Sequence, residues 1–415
     1  MLPWRVIRDR RVILALLTGL NFLNYIDRAV IAAVVKPMKD ALELSNFEAG
    51  MLNSAFLIGY FVASPLFGAR ADKVARKRMI TLGVVVWSLA TVASGLATGL
   101  WTMMLARIVV GVGEASYAVL APTIIDDLTP ADSKGKALAV FYLATPLGYA
   151  IGYILGGTIS THWGWREAFF VAGGPGLVLA LLCLAIEEPV RKLADAKAKM
   201  MDGLRQIAQI PLFRQLLIGY CAWNAAVGAF SYWAPNFLLE RFRQLDGEQA
   251  NTKFGLVLIA AGAIGTYVGG QWADRGMRRL PQAAPDAPYD APPHRAAVNL
   301  LIKISAIGIG VAAPLTALCF FMPTPNGFFA LAFVVEIGVF LSTSPINAAV
   351  LRAVPPERRA SAMAASIFAI HLFGDLWSSA ALGLLQDALE LRVAMMALPI
   401  TFAVAAVIWW PRRAA

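Results

Sequence analysis

Apolar runs long enough to cross a bilayer recur twelve times along the chain. They lie near residues 12–36, 49–70, 79–99, 101–125, 137–160, 166–187, 213–239, 254–274, 298–322, 327–351, 361–386 and 391–411. A spanning helix needs about 20 such residues. Each run is continuous and lacks the period-two alternation of barrel strands, so each predicts a helix. The polar stretch 188–212, rich in Ala and Lys, divides the spans six and six. The pattern predicts an all-α integral membrane protein with two six-helix bundles, 1–187 and 213–415, joined by a linker at 188–212 that carries a surface helix. The stretch 281–293 holds five prolines and reads as an extended connection.

Composition agrees with the pattern. Of the 415 residues, 59% are apolar and 15% are charged, and the mean hydropathy is +0.64. Soluble domains carry about a quarter charged residues, and a chain this apolar cannot be folded in water without exposing a large apolar surface. A disordered protein and a disulfide scaffold are excluded. Cys183, Cys221 and Cys319 fall in apolar stretches and read as small core residues. No cleavable signal is expected, because the apolar run behind Arg5 to Arg11 is too long for a signal core.

The net charge of +10 acquires meaning from its placement. With twelve spans, the termini and the even-numbered loops share one side, which holds 26 of the 36 Lys and Arg. The other side holds seven, and Arg28, Arg107 and Lys303 lie within spans. Such an excess predicts cytoplasmic termini in a plasma membrane. It also accounts for the basic charge without nucleic acid, since the basic residues are spread over loops and not gathered on one face.

Between spans 2 and 3 the chain reads Gly68-Ala-Arg-Ala-Asp72-Lys73-Val-Ala-Arg76-Lys77-Arg78; between spans 8 and 9 it reads Gly270-Gln-Trp-Ala-Asp274-Arg275-Gly-Met-Arg278-Arg279. Both fit Gly-x-x-x-Asp-basic-x-x-basic-basic, at the same place in each half and 202 residues apart. Repetition of both spacing and position points to an internally duplicated fold. Glycine permits close helix approach at the membrane exit. The aspartate requires a cation or a helix N-terminus. These residues, with Arg358 ahead of span 11, are the expected gating elements: Asp72 against the start of span 11, Asp274 near Ser133 and Lys134.

The first copy resembles the loop signature of the major facilitator superfamily, with Ala75 where that pattern has glycine. Asn24-Tyr25-Ile26-Asp27-Arg28, Arg107-Ile-Val-Val-Gly111-Val-Gly113-Glu114-Ala115-Ser116-Tyr117 and Ala121-Pro122-Thr123 resemble the Spinster family within it, in a bacterial form. The resemblance is densest over roughly residues 20–190. It implies a monomeric secondary transporter of alternating access in a bacterial inner membrane, lined by spans 1, 4, 7 and 10, with lysophospholipid or sphingoid cargo. Protons and membrane lipids are its other expected partners, and no cofactor is expected.

Charges inside a span are costly and mark function. In span 1, Asn24, Asp27 and Arg28 stand at i, i+3 and i+4, so they share a face. In span 4, Arg107 and Glu114 are seven residues apart and stack along one face, with Gly111 and Gly113 expected to leave an open cavity wall beside Glu114. Low dielectric disfavours a carboxylate and a neighbouring arginine restores it. A geometry that makes and breaks that contact can switch proton affinity, which assigns coupling to Asp27 and Glu114. The other reading is a permanent Asp27–Arg107 or Arg28–Glu114 pair that only holds helices together. Substrate contacts are expected from Asn24, Arg28, Arg107, Tyr117, Asn224, Tyr232, Trp233, Glu336 and His371; His371 and Asp375 are spaced to hydrogen-bond. In span 5, Gly148, Gly152 and Gly156 form a close-packing stripe.

No nucleotide loop, nucleophile elbow or zinc motif occurs, so an enzyme is not expected. An exporter or importer of small organic anions or drugs, held by Arg28 and Arg107, is the alternative within transport. A lipid scrambling scaffold or a transporter-like sensor would need catalytic pairs or a soluble domain, which the sequence does not offer.

Overall fold

The computed structural model describes residues 7–70, 74–130, 133–188, 205–281 and 291–411. Twelve long helical segments match the twelve apolar runs. They are α1 (Arg10–Ala33), α2 (Asn46–Arg70), α3 (Arg76–Gly95), α4 (Leu100–Leu128), α5 (Lys134–His162), α6 (Trp165–Leu184), α7 (Pro211–Arg241), α8 (Gly247–Met277), α9 (Pro292–Phe320), α10 (Pro325–Arg352), α11 (Ser361–Ala388) and α12 (Leu391–Trp409). Ten are apolar and long enough to cross a membrane by composition alone. The other two, α1 and α7, are 24 and 31 residues long. Length qualifies them, and their polar interior residues lower their hydropathy. They are the first helix of each predicted half.

Local chemistry sets several ends. The Asp9 side chain caps α1 by accepting from the Arg11 N–H at 2.8 Å. Ser45 and Glu48 exchange bonds at the start of α2, Ser45 N–H to Glu48 at 2.9 Å and Glu48 N–H to Ser45 Oγ at 3.2 Å, a reciprocal cap. Ahead of α1, Ile7 bridges Ile186 just after α6.

The described residues form two compact units. The first comprises those up to Glu188 with Tyr232–Leu256, so it includes the adjoining ends of α7 and α8. The second comprises Arg205 to Ser231 and Val257 onward.

Within the first unit glycines set the helix spacing. A Cβ on Gly59 of α2 would lie 2.1 Å from the Ile108 carbonyl of α4, and one on Gly111 would lie 2.0 Å from the Phe56 carbonyl of α2. Gly113 abuts α3, 2.6 Å from the Gly83 carbonyl. The expected open wall beside Glu114 is therefore corrected: Gly111 and Gly113 are filled by neighbouring backbones. The span 5 stripe packs as expected. Gly148, Gly152 and Gly156 all face α1, with Cβ positions 2.6–2.8 Å from its atoms.

In the second unit the close approach of α8 to α10 falls at Gly265 and Gly269, the latter 2.1 Å from the Leu341 carbonyl. A Cβ on Gly270, the motif residue, would meet the Ser344 side chain, nearest at the hydroxyl at 3.4 Å, and one on Gly68 a Val119 methyl at 4.0 Å. Neither motif glycine is where two helix backbones touch. One residue is about 100° of helix rotation, enough to turn Gly270 off the contact that Gly269 makes.

Candidate functional site

The site grows from the polar interior of α1. Its residue Arg28 donates from Nε to Glu114 of α4 at 2.7 Å. The Glu114 side chain is fully enclosed and that of Arg28 is 15% exposed. Aromatic rings surround the guanidinium, whose carbon lies 4.9 Å from the Phe56 ring centre, 5.2 Å from Tyr25 and 5.3 Å from Tyr60. These faces carry negative potential and share the cation with Glu114. The second oxygen of Glu114 has no hydrogen-bond partner among the described residues.

Asp27, one residue earlier, points elsewhere. It is 1% exposed and accepts from the Thr91 hydroxyl of α3 at 2.7 Å. Its other oxygen is unpartnered. Arg107 is equally buried, stacks over Phe56 at 5.1 Å, and leaves Nε and Nη1 without hydrogen-bond partners among the described residues. Of the two pairs the sequence allowed, Arg28–Glu114 forms. Asp27 bonds Thr91 and not Arg107. Asn24 is buried with its amide nitrogen unpartnered. Arg28, Glu114, Asp27 and Arg107 thus gather around Phe56 and Thr91, in a region where each uncompensated polar atom costs of order 1–3 kcal/mol or more.

The other expected site residues make their own contacts, and of them Tyr232 is close enough to Arg107 to feel its charge. Tyr117 is fully buried among the helices of the first unit, where its hydroxyl donates to the Leu17 carbonyl and its ring meets Trp87 edge-on at 5.7 Å. Tyr232 donates to the Ala49 carbonyl of α2 at 2.5 Å, and Trp233 packs edge-on against it. In the second unit the Asn224 amide donates to the Ile370 carbonyl at 3.0 Å. That carbonyl immediately precedes a π-helical turn, His371–Asp375, within α11. Such wider turns interrupt the regular ladder and free backbone acceptors. His371 and Asp375 bond at 2.9 Å, as their spacing predicts. Glu336 is 5% exposed and makes no hydrogen bond or ion pair among the described residues.

Of the residues expected to gate, Asp72 lies outside the described residues. Arg76 is anchored within the first unit, to Asp127 at 2.7 Å, Glu188 at 3.2 Å and Thr123 at 3.1 Å. Lys77 reinforces this by donating to the Ile186 carbonyl at 2.6 Å. The Arg278 N–H bonds the Asp274 carbonyl at 3.1 Å in the last turn of α8. Arg358 donates to Gln206 at 2.7 Å, and Lys134 is held by Asp126 at 2.6 Å.

Sequence reading missed Thr91, Phe56 and Tyr60, since a hydroxyl or ring in a span carries no charge signal. It also missed Asn236, fully buried in α7 with neither amide atom hydrogen-bonded among the described residues. The rule that selected Asn224 would have found it.

A twelve-helix fold with charge buried at mid-span is the architecture of a membrane transporter, and comparison bears this out. The Major Facilitator Superfamily model matches residues 17–366. The chain is 32% identical to the probable sphingolipid transporter spinster homolog 2 of Arabidopsis thaliana, across 94% of this chain and 84% of that protein. It is 30% identical to the human protein spinster homolog 1, across 91% and 73%. Its fold matches a bacterial homolog to the human lysosomal transporter Spinster, solved inward-facing and unoccupied, with a TM-score of 0.83 and 22% identity over 97% and 96% of the two chains. The protein belongs to the Major Facilitator Superfamily and, within it, to the Spinster family of multi-pass membrane transporters.

Proposed function

We propose that the protein is a proton-coupled transporter that moves an amphipathic, lipid-like substrate of lysophospholipid or sphingoid type by alternating access. The observation that carries this reading is the buried Arg28–Glu114 pair, with a second acid, Asp27, on the adjacent residue and unpartnered Arg107 N–H groups nearby. A proton on Glu114 cancels its charge and releases Arg28 from the pair. The freed guanidinium then needs another anion, and a phosphate-bearing headgroup supplies one. Loss of the proton restores the pair and expels the headgroup. Asp27, held by Thr91, is the second proton carrier in the scheme. Arg107 positions the anionic group, and its planar fork suits phosphate. The name of the Arabidopsis relative supports lipid cargo. Gating is assigned to the two loop motifs, with Asp72, Asp274 and Arg358 contributing to cytoplasmic closure. The protein works as a monomer in the plasma membrane with cytoplasmic termini, as its basic loops favour.

The deciding experiment is uptake into proteoliposomes with and without an imposed pH gradient, over a panel of lysophospholipids, sphingoid bases and small organic anions. Gradient-stimulated movement of a lipid supports the reading. Transport that ignores the gradient removes proton coupling. Movement of organic anions alone transfers the assignment to the second reading, which the unpartnered Arg107 N–H groups also favour.

A further inference from the structure

At the end of the first unit where α1 and α5 begin, a cavity of about 220 Å³ opens among α1, α4 and α5. Three basic side chains line it: Arg10 and Arg11 from the first turn of α1, and Lys136 from the first turn of α5. All three are exposed, and none has a side-chain hydrogen bond or ion pair among the described residues. No acidic residue is among the described residues lining the cavity. The nearby carboxylates are engaged elsewhere, Asp9 on the Arg11 backbone N–H at 2.8 Å and Asp126 on Lys134 at 2.6 Å. The remaining wall is apolar, including Leu14, Ile125 and Val140.

Three cations around an apolar floor, with no ion-pair partner among the described residues, are held in water by solvation. Beside a bilayer they attract an anion that also has apolar surface to bury. We infer that this cavity is a binding site for one anionic membrane phospholipid, distinct from the transport site. Its phosphate lies between the Arg10 and Arg11 guanidiniums and the Lys136 ammonium. Pockets that enclose a whole drug-sized ligand measure about 300–1,000 Å³, so this one admits a headgroup and leaves the acyl chains outside. The surface beside it suits them: Val12, Val140 and Leu143 are 48%, 49% and 59% exposed. The bound lipid joins the start of α1, the helix that carries Asp27 and Arg28, to the start of α5.

The site is tested on the full-length protein in nanodiscs and by native mass spectrometry of lipid retained after extraction. The wild-type protein should retain phosphatidylglycerol at least tenfold over phosphatidylcholine. Each of Arg10→Gln, Arg11→Gln and Lys136→Gln should lower retention about fivefold, the effect of one basic residue near an anionic lipid surface. Arg70→Gln, a charge removal on an exposed residue outside the cavity, should leave it unchanged. Equal retention of the two lipids by the wild-type protein overturns the inference without recourse to any variant. So does a loss in Arg70→Gln as large as in Lys136→Gln, which would mean general surface charge. Glycerol 3-phosphate, which has the headgroup and no chains, should not displace the lipid at millimolar concentration; displacement would assign the cavity to a free phosphate.

Discussion

In the first unit, the buried charges meet: Arg28 and Glu114 lie 2.7 Å apart under a ring of aromatics, with Asp27 and Arg107 in the same core. In the second, Glu336 stands buried without an ion pair among the described residues, and Asn224 and His371 make local contacts, to the Ile370 carbonyl and to Asp375. The same contrast separates α1 from α7, the two helices that fall short of the hydropathy of the other ten. The interior of α1 is diluted by Asn21, Asn24, Asp27 and Arg28, that of α7 by Tyr220, Asn224, Tyr232 and Asn236. The first unit brings its buried charges into contact, Arg28 with Glu114, whereas the second leaves Glu336 buried away from its His371–Asp375 pair. The lesson is that pseudo-symmetry of backbone does not extend to chemistry, so the proposed coupling role of the first unit can be tested by substitution separately from the contacts of the second.

The largest effect should come from breaking the ion pair. Glu114→Ala leaves Arg28 buried beside rings alone, and removing one partner of such a pair costs about 3–5 kcal/mol. Thermal unfolding in detergent should show this, and the double substitution Glu114→Leu with Arg28→Met should recover most of it. Glu114→Gln keeps the shape and should abolish stimulation by a pH gradient while substrate binding stays measurable. Undiminished gradient-driven transport in Glu114→Gln would remove that residue from coupling. Asp27→Asn submits the second acid to the same assay.

Next come the glycine contacts, which test whether the two units are built alike even though their chemistry differs. Gly59→Ala and Gly269→Ala each place a methyl about 2 Å from a facing carbonyl, and such overpacking costs about 1–3 kcal/mol. Gly270→Ala should be tolerated to within about 0.5 kcal/mol. Equal loss at positions 269 and 270 would contradict the packing described above.

A smaller change is expected from Arg107→Lys, which keeps the charge and loses the planar fork. Affinity for a phosphate-bearing lipid should fall about tenfold, close to the worth of one charge-assisted hydrogen bond. Unchanged binding in both Arg107→Lys and Arg107→Ala would exclude a headgroup role. The smallest effect should be that of His371→Gln: its partner is partly exposed, and i,i+4 pairs of this kind contribute about 0.5 kcal/mol or less. A loss of gradient stimulation in His371→Gln matching that of Glu114→Gln would erase the contrast between the units.

Much of this could be read from residue types in order. Twelve spans follow from the need of every backbone amide in lipid to be bonded within its own segment, which makes helix length and apolar run the same quantity. The charged residues of α1 and α4 announce themselves because lipid makes charge costly. The loop repeat and the family resemblance were likewise visible, as was the Gly148-Gly152-Gly156 stripe, because a four-residue spacing on one helix needs no partner to be recognised. Partner choice was not visible. Spacing along α1 put Asp27 and Arg28 on a common face, yet about 100° of rotation per residue sends Asp27 to Thr91 of α3 and Arg28 to Glu114 of α4. Only the positions of α2, α3 and α4 around α1 decide that. The same holds for Gly269 over its neighbour Gly270 and for the backbones that fill Gly111 and Gly113. A sequence states which residues must find a partner in lipid, since that cost is local. Which partner they find depends on helix rotation and approach, which are properties of the packed bundle.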